Sequence, residues 1–141
     1  MDKTTKPTKA SDIKRAWHLV DVSGEILGRI SSEIAKLLIG KSKPCYVRNL
    51  DCGDYVVVIN ASGVKVTGKK ETDKKYYRHS GYPGGLRVEA LRELRESKPE
   101  EIIRHAVKGM LPQNKLRDRM LTRLFVYRDE IHPYTDKLNK S

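Results

Sequence analysis

The sequence predicts an α/β fold: a single three-layer domain with a small, mostly parallel sheet of about four strands, flanked by helices. Three observations carry this. "YVVVIN" (55–60) is β-branched and apolar at successive positions, as in a strand covered on both faces. A helical pattern separates it from an earlier strand, and more helical patterns lead to a last short apolar run. The 141 residues suffice for one real core, and neither a repeat nor a linker divides them.

In order along the chain, "MDKTTKPTKASDIKR" lacks the apolar segment of a secretory signal and reads as a short, solvated basic arm. "WHLVDV" (17–22) alternates loosely and stops at Ser23-Gly24, a strand and a turn. In "ILGRISSEIAKLLIGK", Leu27, Ile30, Ile34, Leu37 and Leu38 recur at helical spacing, with Gly40 where a helix ends. "KSKPCYVRNLDCGD" is a loop-like connection before the 55–60 strand. "LRVEALRELRES" is expected to be helical, with Leu86, Ala90, Leu91 and Leu94 on one face. Ser97 and Glu100 are spaced as a capping box and Pro99 suits a first turn, and Ile102, Ile103, Ala106, Val107 and Met110 continue a second helix. "NKLRDRMLTRL" gives a third, with Leu116, Met120, Leu121 and Leu124 inward, and "FVYR" (125–128) reads as a last strand. "DEIHPYTDKLNKS" has no periodicity and is expected to wander over a surface as an irregular tail.

Charge narrows the function. Lys and Arg number 29 against 18 Asp and Glu, a formal net charge of +11 with a pI near 9.7. The excess runs from Lys3 to Lys140 and points to a polyanion, a large folded RNA more than one groove of duplex DNA. Cys45 and Cys52 form no Cys-x-x-Cys and the four histidines are scattered, so no metal site is expected. No apolar run reaches the roughly 20 residues that span a bilayer.

"GVKVTGKK" (63–70) matches the spacing of a phosphate-binding loop, with Gly63, Gly68 and Lys69 in place. Such a loop needs Ser or Thr after the lysine to hold Mg²⁺, and a helix whose N-terminus faces the nucleotide. Lys70 stands at that position, Val64-Lys65-Val66-Thr67 prefer an extended chain, and no apolar helical pattern follows. "GEILGR" (24–29) lacks the glycines of a dinucleotide fingerprint and reads as a turn with helix entry. Asp51, Cys52 and Asp54 in "DCGD" need only a turn to explain them, and His79 and His105 are weak candidates for a general base. Neither a nucleotide-dependent enzyme nor a basic adaptor for membranes or acidic proteins is therefore favoured: the helical apolar faces look like ordinary core stripes.

The stretch "KKETDKKYYRHSGYPGG" has the chemistry of an RNA contact. Lys69, Lys70, Lys74, Lys75 and Arg78 can neutralise phosphates; Tyr77, His79 and Tyr82 offer rings for unpaired bases; the glycines let a backbone approach. Tyr76 is expected to face inward, since alternate strand residues point opposite ways. A second basic group is Lys108, Lys115, Arg117, Arg119 and Arg123, of which Lys115, Arg119 and Arg123 follow at i+4 spacing on one helical stripe.

"CGDYVVVINASGVKVTGKKETDKKYYRHSGYPGG" and "AVKGMLPQNKLRDRMLTRLFVYRDEIHP" resemble the bacterial ribosomal protein L13 family, as does "WHLVDVSGEILGRISSEIAKLLIGK". The resemblance implies a compact α/β domain over 14–133, a basic extension over 1–13 and a C-terminal tail over 134–141. It implies a structural constituent of the large ribosomal subunit in the bacterial cytoplasm. Its partners would be large-subunit ribosomal RNA and neighbouring ribosomal proteins, with early assembly as its role and no catalysis, cofactor, metal, membrane or small-molecule substrate. One departure stands out: after "NKL" the family usually continues Gly-Arg, where this chain has Arg117-Asp118-Arg119.

Overall fold

The computed structural model describes residues 5–140; the start of the basic arm, including Lys3, lies outside the described residues. Strand β1 (Trp17–Asp21) ends in a turn through Gly24 and enters helix α1 (Leu27–Ile39). Ile30, Ile34, Ala35 and Leu38 form the buried stripe of α1, while Arg29, Glu33 and Lys36 face out. The helix stops at Gly40, whose φ of 77° is left-handed and whose N–H donates to Lys36 O at 3.0 Å. A Cβ at residue 40 would collide with the carbonyl of Cys52, so close packing as well as backbone conformation requires glycine.

Strand β2 (Tyr55–Ile59) pairs with β1 in parallel, Trp17 opposite Tyr55 and Val20 opposite Val58. After it come a short helix α2 (Lys70–Asp73) and strands β3 (Lys75–His79) and β4 (Leu86–Ala90). Helices α3 (Leu91–Ser97), α4 (Pro99–Met110) and α5 (Leu116–Thr122) follow, then β5 (Leu124–Val126) and α6 (Thr135–Asn139). Strand β5 pairs in parallel with the other edge of β2, giving the order β1-β2-β5. The mixed α/β class with a small parallel sheet is as expected. The parallel sheet itself has three strands; β3 and β4 form a separate antiparallel hairpin.

Val56, Val57 and Val58 are all fully buried, so β2 is covered on both faces. Val56 and Val58 join α1, Ile103 and Val107 of α4 and Met120 of α5 in the main core. The opposite face is covered by stacked rings and by the short helix α6, which packs against β1. Trp17 stacks on Tyr55 at 4.4 Å and on Tyr134 at 5.2 Å, and Phe125 meets Tyr134 at 4.6 Å. The C-terminal segment, expected to wander, is thus docked by Tyr134 and carries one turn of helix. Aromatic burial does not need periodicity, which is why pattern reading passes over it.

Two local expectations fail. Residues 86–90 form strand β4, not the first half of a helix, and Leu86 is exposed. Leu86, Val88 and Ala90 alternate with Arg87 and Glu89, the period-2 signal of a strand. The helix begins only at Leu91, with Glu93 accepting from the Ala90 N–H at 3.4 Å. The capping box of Ser97 and Glu100 does not form: Ser97 ends α3 and its hydroxyl donates to Glu93 O at 3.0 Å. Pro99 does occupy the first turn of α4.

Candidate nucleic-acid interface

The near-match to a phosphate loop is not one in three dimensions. Three backbone N–H groups that would cradle phosphate are already used: Gly63 donates to Asn60 O (3.0 Å), Val64 to Ala61 O (3.5 Å) and Lys65 to Glu25 O (2.8 Å). Lys65 bridges Ile26 in an extended conformation and Val64 is buried. The turn at 24–29 is occupied likewise, since Leu27 N–H donates to Lys65 O at 2.8 Å.

Instead, the stretch delivers cations to a surface. Lys69 and Lys70 are exposed at the start of α2. Arg95 of α3 holds that turn, donating to Val64 O at 2.6 Å and pairing with Glu71 at 2.9 Å. Leu91 N–H donates to Lys74 O at 2.9 Å, tying the base of β3 to α3.

From there the hairpin projects. Tyr76 is half-buried against Leu91, Leu94 and Ile102 and meets the His105 ring at 5.2 Å. Burial raises its phenol pKa, with Arg95 opposing. Tyr77, one residue on, is 66% exposed, and Tyr82 at the tip is 76% exposed. The inward and outward roles of the two adjacent tyrosines are therefore as alternation predicts. Tyr77 is opposite Val88 and His79 opposite Leu86, so these four share one exposed face. Gly81 and Gly84 take φ of 85° and 73° in the tip, and Gly81 N–H donates to His79 Nδ1 at 2.9 Å. Lys74, Lys75 and Arg78 are exposed along the same hairpin.

The second basic group divides. Lys108 on α4, Lys115 at the start of α5 and Arg119 on α5 are exposed. Lys108 shares a cleft of about 390 Å³ with Arg104, His105 and the acidic Glu101 and Asp118. Arg123 must be removed from the surface stripe. It is 5% exposed, donates to Leu38 O at 3.2 Å and pairs with Asp51. The i+4 spacing fails there because α5 ends at Thr122 and the chain turns into β5, carrying residue 123 inward against the Leu38 carbonyl and Asp51. Burial lowers the Arg123 pKa, and Asp51 works against that. At the site of the family departure, Arg117 is half-buried in the first turn of α5, after Asn114 accepts the Leu116 N–H at 3.0 Å.

Asp51 and Asp54 serve the fold. Asp51 is also 3.5 Å from Arg15. Asp54 is bonded by Lys43, by Ala16 N–H at 3.0 Å and by His18 at 2.8 Å. Burial pushes the Asp54 carboxyl up, but these partners outweigh it and hold the carboxyl below its ordinary range. Among the described residues no group of His, Cys, Asp and Glu is arranged to hold a metal, and no helix is long and apolar enough to cross a membrane.

Sequence reading missed two cationic features. Arg87 was hidden because 86–97 reads as one helix; strand alternation was the signal that could have found it. Arg15, Lys137 and Lys140 line a cleft of about 330 Å³ beside Trp17, with Lys137 Nζ 4.9 Å above the Trp17 ring. No signal in the sequence joins these distant positions.

Residues 15–133 match the family model described as Ribosomal protein L13. The chain is 56% identical to the "Large ribosomal subunit protein uL13" of Dehalococcoides mccartyi strain 195, over 94% of this chain and 93% of that one. Proteins of the same name are similar from Aquifex aeolicus (56% identity; 89% of this chain, 88% of the relative) and Geobacillus kaustophilus (50%; 94% and 91%).

Proposed function

The chain belongs to the ribosomal protein L13 family, and from that membership we propose how it meets its ribosome: the hairpin and the lysine turn before it grip large-subunit ribosomal RNA. The protein is a structural, non-catalytic component of the large ribosomal subunit. The carrying observation is that Tyr77 and Tyr82 are two-thirds and three-quarters exposed on a projecting hairpin bordered by Lys69, Lys70, Lys74, Lys75 and Arg78. Large rings left in water among cations suit unpaired bases flanked by phosphates. Lys108, Lys115 and Arg119 extend the basic surface along α4 and α5.

In this reading residues 14–133 are the RNA-binding domain, 1–13 a basic extension and 134–141 a tail. The protein joins the subunit early in assembly, in the bacterial cytoplasm, beside other large-subunit proteins. The test is binding to protein-free large-subunit ribosomal RNA across a salt series. With about six phosphates neutralised, affinity should fall roughly a thousandfold between about 50 and 200 mM salt. A nearly flat titration, or failure to co-sediment with large subunits in high magnesium, sinks the proposal.

A further inference from the structure

If the hairpin meets ribosomal RNA, one pair of its side chains has a specific task. Arg78 of β3 and Arg87 of β4 are direct partners in the antiparallel register. Directly opposed residues share a face, with Cβ atoms roughly 4.5–5.5 Å apart, and like charges so placed destabilise a hairpin. Both arginines are exposed, and neither has an ion-pair partner among the described residues. The carboxylate placed to relieve them is Glu89, on the same face and diagonal to Arg78, yet it makes no ion pair with either. Tyr76, opposite Glu89, anchors the root of that face against α4. The arginines lie two residues farther out, beyond the anchor. An isolated domain gains nothing from two unpaired guanidinium groups side by side; an anion between them removes the repulsion.

We propose that Arg78 and Arg87 form a clamp that closes on a single RNA backbone phosphate. The planar guanidinium fork donates two parallel hydrogen bonds to phosphate oxygens, and two forks from adjacent strands can share one phosphate group. RNA fits better than an acidic protein because the opposite hairpin face presents Tyr77 and His79. A strand crossing the hairpin supplies a phosphate to one face and a base to the other. Lys74 and Lys75 stand at the root, where the backbone would continue.

The test uses the full chain and protein-free large-subunit ribosomal RNA, with melting temperature measured in parallel. Arg87→Glu turns the repulsive pair into an attractive one, so the free protein should melt at the same temperature or higher. Its RNA affinity at fixed salt should fall about tenfold or more, and its salt slope should become shallower by about one. Arg87→Lys keeps the charge and loses the fork; affinity should fall less, with a slope near that of wild type. Unchanged affinity and slope in Arg87→Glu overturn the clamp, and so does a loss of affinity accompanied by a lower melting temperature. Normal RNA binding with failed incorporation into large subunits also overturns it, and assigns the pair to an acidic protein neighbour. If wild-type protein itself shows no salt-dependent binding, the parent reading falls and takes the clamp with it.

Discussion

Arg123→Ala separates a structural arginine from a nucleic-acid contact. Arg123 is 5% exposed, and its guanidinium serves Leu38 O at 3.2 Å and the Asp51 carboxylate. Removing one partner of a buried pair costs about 3–5 kcal/mol, because the other charge is left buried. Two features put the cost at the lower end. Asp51 keeps Arg15 at 3.5 Å as a second counter-charge. The Nε and Nη1 atoms of Arg123 are buried with no partner among the described residues, so part of the guanidinium's desolvation is already uncompensated. The expected loss is therefore about 3 kcal/mol. At about 2.1 cal/mol/K per residue, a chain of 141 residues has an unfolding entropy near 0.3 kcal/mol/K, so the melting temperature should drop by roughly 10 °C. Calorimetry or urea unfolding gives the stability, and RNA binding measured well below the transition gives the affinity. Affinity should stay within about twofold of wild type. A mutant that melts as wild type does but binds ribosomal RNA tenfold more weakly refutes the burial argument and returns Arg123 to the interface.

The tyrosines should split in the opposite sense. Tyr77→Ala and Tyr82→Ala should each cost about 1–3 kcal/mol of RNA affinity and shift melting by less than about 2 °C, whereas half-buried Tyr76→Ala should cost about 2 kcal/mol of stability. Melting losses of several degrees for Tyr77 and Tyr82 with RNA binding intact would make the hairpin face structural. A third expectation concerns acid. The Asp54 carboxyl lies below its ordinary 3.8 in the folded chain, so its contribution is present above the unfolded value of about 4 and lost as pH falls through the lower folded value. Asp54→Asn should be less stable than wild type at neutral pH, and the gap should narrow below about pH 4. A constant gap across urea titrations from pH 6 to 3 would show that Asp54 acts through shape and not through charge.

What the sequence determined by itself is the part of this protein written in short-range periodicity and in bulk charge. Leu27 to Leu38 announce α1, the run at 55–60 announces a strand buried on both faces, and the net charge of +11 announces a polyanionic partner. These follow because core burial and counterion release depend on which residues are present and how they alternate locally. The adjacent pair Tyr76 and Tyr77 was legible for the same reason: successive strand residues must face opposite ways. What only the tertiary structure decided lies where distant segments compete for one residue. Arg123 continues a basic stripe by spacing, but Asp51 and the Leu38 carbonyl draw it inward once β5 docks on β2. Residues 86–90 satisfy a helical pattern, but β3 offers them hydrogen-bond partners and they pair as β4, which sets Arg87 against Arg78. The tail has no pattern at all, and Trp17 and Phe125 still hold Tyr134 because ring stacking needs proximity and no repeat. A local pattern fixes the face a residue would show if its element formed alone; long-range partners decide whether that element forms and which face remains in water.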